Sequence, residues 1–484
     1  MFLIGIDIGT SSTKGVIVNR KGETFAIVKK EHSVEYKNQN KAEHDPDQIW
    51  WKETLNIIQK LIKKSNVKKE HIAAIGCSGI FPVILPISKE GVPLRKAILY
   101  NIDKRSEKQI NYFRKQLGNS HSLSYQSVIP KLKWIKDNEP KVWKETHSIL
   151  DARGYVVFKL TGNKIIDHYT AFYGGFGYST QKRNWDKNIF DLCGIDVKKM
   201  PQIKWGYEVA GSINKKVAAE TGLLEGTPVI TGTGDALAEM LGAGVYKEDD
   251  TALLYGSTMP IITIKNKTSY YNNTFDCAPG WTEEQKIISS GIRSGMDSFS
   301  WFRSLTNCKS NKELFYKMGN LENIKASEDG LFTLPYFTSQ IFPKNYWQKR
   351  ASFIGISRHH SLQHLFKSII EGIGFGLRFS MENFPEISTV RSVGGGTKSS
   401  FFIQMISDIC NIHQRTISEN IGAPLGAAWL SGYGVGLLNE NSLRNWINED
   451  KVFSPTFNPN FEKSYSKFKE IINFSAEGFT LENE

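Results

Sequence analysis

Only five cysteines occur in 484 residues: Cys77, Cys193, Cys277, Cys308 and Cys410. They are odd in number, far apart and free of any Cys-x-x-Cys spacing. That argues against a disulfide framework and a thiolate zinc site, and points to a reducing compartment. No apolar run reaches the roughly 18 residues needed to cross a bilayer. The N-terminal apolar run breaks at Asp7, too early for a signal-peptide core, so a cytoplasmic protein is expected. Low-complexity tracts are missing as well. What is present is 40% hydrophobic and 12% aromatic residues, enough for sizeable cores, in a chain long enough for two domains of roughly 200–250 residues each. The formal charge of +12 comes from lysines scattered along stretches such as KKSNVKKEH, mixed with acids and not interleaved with aromatics. This reads as a solvated face and not a nucleic-acid groove, although the field would attract anionic substrates.

Residues 5–15 read GIDIGTSSTKG. An apolar strand breaks into Asp7, Gly9 and four hydroxyls, then resumes at Val16–Val18. Such a turn can be an ordinary hairpin. It can equally hold a phosphate, because it offers backbone N–H groups, hydroxyls and Lys14, with Asp7 placed for a hydrated cation. The first 31 residues give three short strands, Phe2–Asp7, Lys14–Val18 and Thr24–Lys30. A helix follows, opened by Asp45 and Pro46. HIAAIGCSGIFPVILPI reads as strand, glycine turn and strand, and the region from Pro140 to Gly162 reads as mostly helical. This alternation is α/β.

Near the middle, TPVITGTGDALAEMLGAGV gives a strand at Val229–Thr231, a glycine and hydroxyl turn, and a small-residue helix opened by Asp235. TALLYGSTMPIITI then repeats the hairpin logic, with Gly256, Ser257 and Thr258 standing where Gly9, Thr10 and Ser11 stood. Two such hairpins half a chain apart imply a duplicated domain, each copy opening on a phosphate-type turn, with a nucleotide held between the copies. SVGGGTKSS adds a third element. Gly394 to Gly396 follow a strand and precede a helix starting near Ser399, so backbone and helix N-terminus can approach a ligand.

These blocks, in the order DIGTSSTKG, SG, AILYNIDKRS, KLKWIKDNEP, KLTG, GTGDALAE, YGSTM, GLFTLPYF, LFKSIIEGIGFGLR, GGGTKS and GAPLGAAWLSGYG, resemble the FGGY carbohydrate kinases from about residue 2 to residue 436. The resemblance implies two actin-like, ribonuclease H-like domains, residues 1–247 and 248–484, with a helical tail from about 441. It implies ATP and magnesium in a cleft between the domains, and phosphorylation of a sugar or polyol hydroxyl. Position by position, Asp7 is similar to the magnesium-side carboxylate. Thr10, Ser11, Ser12 and Lys14 resemble the first phosphate turn, and Gly256, Ser257 and Thr258 the second. Gly395, Gly396 and Lys398 resemble the adenosine site, with Gly295 its neighbour. Asp235 resembles the catalytic base and a second metal-side group. Its place at a helix N-terminus would keep it ionised at neutral pH.

The chain departs from the family where the sugar should bind. After Ser78 and Gly79, the Gln-Met-His of xylulokinases and Gln-Arg-Glu of glycerol kinases are replaced by Ile80, Phe81 and Pro82. Tyr100, Asn101, Ile102, Asp103, Lys104 and Arg105 stand for Trp-Asn-Asp-x-Arg, with Asp103 and Arg105 expected to line the pocket or to form a surface ion pair. Thr338, Ser339 and Gln340 replace Gly-Glu-Arg, and Ala236 replaces the Asn or Gln after the base. Ser78, Gly79, Phe81, Tyr100, Asp103, Arg105 and Asp235 are therefore the expected acceptor contacts. A ketopentose such as xylulose is the default substrate. Ribulose or gluconate, or an actin-like nucleotide binder with little kinase activity, are the alternatives, and a homodimer is expected from relatives. His360 and His364 lie four apart but lack a third ligand, so they read as structural. Trp301 and Phe302 read as core, and residues 441–484 as a helix whose Phe453, Phe457, Phe461 and Phe468 pack on the second domain.

Overall fold

The computed structural model describes residues 1–484 except 39, 118–122, 176, 267–274, 338–349, 383, 388, 419–420 and 479–484. The chain divides into two compact units. The first holds Met1–Tyr246, Ala278–Gln285 and Ile421–Ile447, and the second Lys247–Cys277, Lys286–Asn420 and Asn448–Glu484. The first division between the units falls after Tyr246. Two later segments nevertheless return to the first unit, so the units are not contiguous halves.

In the first unit, β-branched and apolar residues form β1 (Phe2–Ile8), β2 (Ser12–Asn19) and β3 (Thr24–Glu31), an antiparallel meander. Asp45 then caps the next helix, its carboxylate accepting from the backbone N–H of Asp47 and Gln48 at 3.1 and 3.0 Å, with Pro46 in the first position. A wide turn at Pro46–Trp51 leads into α1 (Lys52–Ser65), whose Ile57, Ile58 and Leu61 are buried. β4 (Ile72–Gly79) pairs in parallel with β1. α2 (Ala152–Thr161) and α3 (His168–Tyr173) precede β5 (Val209–Ser212), β6 (Pro228–Ile230), β7 (Thr233–Gly234) and α4 (Asp235–Gly242). The sheet order is β5-β6-β4-β1-β2-β3, with β7 also pairing β4.

The second unit repeats this plan. β8 (Thr251–Leu254), β9 (Met259–Asn266), β10 (Asp276–Pro279), β11 (Gln285–Ile292), β12 (Thr389–Val393), β13 (His413–Ile417) and β14 (Glu449–Phe453) form a sheet in the order β10-β11-β9-β8-β12-β13-β14. The β9-β8-β12-β13-β14 run has the strand senses of β2-β1-β4-β6-β5: antiparallel, parallel, parallel, antiparallel. The expected duplication is therefore present in the topology. α5 (Asp297–Thr306), α6 (Leu362–Ser380) and α7 (Ser400–Cys410) cover this sheet around Phe299, Phe302, Phe366 and Phe402.

Phe302 is core as expected, whereas Trp301 is 38% exposed on the other side of α5. The tail is not one helix. Phe453 ends strand β14, and α9 (Pro459–Gly478) buries Phe461 and Phe468, but Phe457 between them is exposed.

The returning helix α8 (Ala423–Gly434) lies in the first unit against β1, β4 and α4. Glycines make the contact: a Cβ on Gly5 would stand 1.8 Å from the Pro424 carbonyl oxygen, and one on Gly426 1.9 Å from that of Ala238. No side chain fits at either position. All five cysteines are free, and no helix among the described residues is long and apolar enough to cross a membrane.

Candidate active site

Three adjacent strand ends position the carboxylates. In the parallel register Asp7 of β1 faces Ser78 of β4, and Ser78 faces Thr233 of β7, so Asp235, one residue past β7, lies beside them. Carboxyl ends of parallel strands are where open α/β sheets bind ligands. Ser78 is fully buried, and its hydroxyl donates to Asp7 Oδ1 at 2.9 Å. Gly79 is buried as backbone beside it.

Asp235 occupies the first turn of α4, with Gly234 and not Asp235 as the N-cap, and Oδ1 accepts from the Ala236 N–H at 2.8 Å. The helix end does not dominate its charge state. Burial, with Asp7 second, pushes the Asp235 carboxyl well above the usual carboxylate range, against the lowering by the Ala236 N–H. Asp7 is also raised, chiefly by burial, with Ser78 and Lys14 pulling it down. A third carboxylate, Glu239, lies one turn along α4 and is raised by burial and then by Asp7, with Lys14 opposing. The i,i+4 spacing from Asp235 in GDALAE was the signal for it.

The first turn is closed by Gly9 N–H donating to the Ser12 carbonyl at 3.0 Å. Ser11 is exposed, Thr10 and Lys14 are half-buried, and Ser12 is buried beneath the turn. Thr10 Oγ1 and the Tyr100 hydroxyl share a hydrogen bond of 2.9 Å, which ties the turn to the expected acceptor wall. Phe81 completes that wall together with two residues that carried no motif, Tyr169 and Tyr173 of α3, with ring centroids 5.5 and 5.8 Å from Phe81. The Asp235 charge acts on both Tyr100 and Tyr169.

Asp103 and Arg105 pair with each other. Asp103 accepts from Ala42 N–H and from the Arg105 backbone and guanidinium, and Arg105 also pairs with Glu43 at 2.8 Å. Both side chains are buried, and Glu43 further pairs with Arg95 and Lys37. Together they form an internal ion network beside the Tyr100 segment.

In the second unit the expected nucleotide residues come together around the end of β8. Gly256 N–H donates to the Thr258 carbonyl at 3.2 Å, Gly295 N–H to Ser257 at 2.8 Å, and Gly396 N–H to Tyr255 at 3.1 Å. Ser257, Thr258, Gly395 and Lys398 are exposed. A Cβ on Gly395 would meet nothing within 4 Å. Thr338, Ser339 and Gln340 lie outside the described residues. His360 and His364 use Nδ1 to accept from the backbone N–H of Ser357 and Ser361, and no group of three His, Cys, Asp or Glu side chains among the described residues could hold a metal.

Residues 2–242 match the N-terminal domain of the FGGY family of carbohydrate kinases, and residues 269–435 match its C-terminal domain. The xylulose kinase of Bacillus subtilis is 28% identical over 475 residues, 94% of this chain and 93% of that protein. The ligand-bound xylulose kinase of Lactobacillus acidophilus and the gluconate kinase of the same organism each share the fold, with TM-score 0.88 at 24% identity over 99% of both chains. With both domains matched in order, the chain belongs to the FGGY family of carbohydrate kinases and is a phosphotransferase acting on an alcohol group.

Proposed function

We propose that this chain transfers the γ-phosphoryl group of ATP to a hydroxyl of a ketopentose, with xylulose the first acceptor. The observation that carries the reading is Asp235: a carboxylate at a strand end, raised by burial and Asp7, beside the wall of Phe81, Tyr100 and Tyr169. A base whose affinity for protons is raised toward the working pH takes a hydroxyl proton more readily. Asp235 orients the acceptor hydroxyl and accepts its proton as the new P–O bond forms, while ADP leaves. In the first unit Thr10, Ser11 and Lys14 offer N–H, hydroxyl and ammonium donors to a phosphate, and in the second unit Gly256, Ser257 and Thr258 offer N–H and hydroxyl donors. Gly295, Gly395, Gly396 and Lys398 are the proposed adenosine contacts.

Magnesium fits this donor set. Asp7 is close enough to raise Asp235, yet among the described residues no three side chains form a protein cage. Magnesium is held by one or two carboxylates, waters and substrate phosphates, so Asp7 and Asp235 are sufficient protein partners. When bound it neutralises charge on the transferring phosphoryl group. The aromatic wall replaces the polar sugar contacts of better-known relatives, and it packs against the carbon face of an acceptor while Asp235 takes the hydroxyl.

A coupled ADP assay over pentuloses, hexuloses, polyols and aldonates tests this. The expected result is stimulation by xylulose that is lost in Asp235→Ala. Highest turnover with ribulose or gluconate would replace the substrate, and ATP binding without any acceptor-dependent turnover would replace the activity.

A further inference from the structure

The first phosphate turn is braced from beneath by a histidine that no motif marks. His32 directly follows β3 and touches the turn twice. Its backbone N–H donates to the Ser11 carbonyl at 3.0 Å, and its Nε2 lies 3.1 Å from the Gly9 carbonyl oxygen. Its other nitrogen, Nδ1, lies 2.9 Å from Glu53 Oε2 of α1, and Thr13 Oγ1 of β2 donates to that same oxygen at 2.9 Å. Both side chains of the pair are buried, at 5% and 8% exposure.

Counting donors decides what this arrangement requires. A carbonyl oxygen only accepts, so Nε2 must carry a proton. A carboxylate that already receives the Thr13 hydroxyl also accepts, so the contact at Nδ1 needs a second proton. A neutral imidazole has one N–H and would leave one of these buried acceptors facing a lone pair. An unmade hydrogen bond at a buried group is costly, whereas an imidazolium between a carboxylate and a carbonyl satisfies every partner.

The two titratable groups against the ring are Glu53 from α1 and His44 from the strand Lys41–His44, whose ring centroid is 5.1 Å away. His44 is held down at about 4, by burial first and by His32 second, and it accepts from Trp50 Nε1 at 3.2 Å. Of the two, Glu53 is the one hydrogen-bonded to the His32 ring.

We infer that His32, carrying protons on both ring nitrogens and paired with Glu53, is a positioning residue for the phosphate turn. By holding the Gly9 and Ser11 carbonyls toward the protein, it leaves the N–H groups of Thr10 and Ser11 and the Ser11 hydroxyl to face an anion. This rests on the reading of that turn as a nucleotide phosphate site.

The experiment uses the whole chain. Histidine-selective 15N spectra of the wild type at pH 7, with His32 assigned by comparison with His32→Gln, report the ring protons directly, and calorimetric titration reports ATP affinity. Both His32 nitrogens protonated, and at least tenfold weaker ATP binding in His32→Phe, support the inference. Glu53→Gln can donate to Nδ1 of a neutral ring and so retain the Gly9 contact. It is expected to bind ATP within about threefold of wild type, which separates geometry from charge. An unprotonated nitrogen on wild-type His32, or a folded His32→Phe chain that binds ATP as the wild type does, overturns it. A wild type that binds no ATP overturns the nucleotide reading and the positioning role together. That failure is recognisable because the ring still shows both protons.

Discussion

Ser78 and Asp7 are joined across the parallel β1–β4 pair by a hydroxyl-to-carboxylate hydrogen bond of 2.9 Å, inside the buried end of the sheet. That bond lowers an Asp7 carboxyl which burial raises. Ser78→Ala removes it, and a hydrogen bond to a charged group is worth about 1.5–3 kcal/mol. The expected outcome is a kcat/KM lower by about 10- to 100-fold, since about 1.4 kcal/mol is tenfold. Asp7 must then ionise at higher pH, so the acid limb of the pH–rate profile moves upward. A variant whose profile superposes on the wild type would show that the bond does not govern activity.

Asp235 carries a stability cost that its removal should reveal. Unfolded, it ionises near the ordinary value of 3.8, and in the folded chain well above it, so the folded state binds the proton more tightly. Stability from this group is fully present below the unfolded value and is lost as pH rises through the folded one. Asp235→Asn, which cannot ionise, should melt at a higher temperature than the wild type at pH 7–8 while losing turnover. The gain should vanish near pH 4. Melting curves at the two pH values check the sign, and a less stable variant at pH 8 would refute it.

The parts that could be read from the sequence are those in which neighbouring residues carry the physics. The Asp7 strand, the glycine and hydroxyl turns, the Asp45 cap and the Asp235 helix are local patterns, and each lies within a residue or two of its expected place. The duplication followed from two such patterns. What escaped depends on distant partners. The network that joins Asp103 and Arg105 to Glu43, Arg95 and Ala42 is drawn from segments far apart in the sequence. Tyr169 and Tyr173 join the wall only because α3 brings them to Phe81, and the return of Ile421–Ile447 to the first unit rests on Gly5, Gly76 and Gly426 matching across the fold.

The aromatic wall makes a prediction about which ligand is affected. Phe81 packs so closely on the residue before the base that a Cβ on Gly234 would lie 2.3 Å from its ring. Phe81→Ala opens space on the acceptor side and leaves the Thr10–Lys14 turn untouched. The acceptor KM should rise about 10-fold or more, as for loss of a large buried apolar contact, with the ATP KM within about twofold. Initial-rate measurements varying each substrate in turn separate the two. Equal rises in both would mean that the wall supports the fold and does not contact the acceptor.

Lys131 ties pH to the same segment. Its amine is fully buried and donates to the carbonyls of Leu99 and, at 2.6 Å, Tyr100, whose hydroxyl holds Thr10. Burial pushes it down to about 7, with Asp103 opposing and Arg105 adding a smaller push downward. A neutral amine has two N–H donors, enough for both carbonyls, so the folded chain loses no bond when the amine loses its charge. Between about 7 and the unfolded value of 10.5, the unfolded chain holds a proton that the folded chain does not. Stability from this group therefore rises with pH across that window, by up to about 1.4 kcal/mol per unit, and is at its lowest below 7. Lys131→Met keeps the apolar stem, leaves the two carbonyls unpaired and has no such dependence. The wild-type melting temperature minus that of Lys131→Met should grow from pH 7 to pH 9, by a few degrees for a unit of this size. A difference that stays flat or shrinks over that range would mean that the folded amine remains charged.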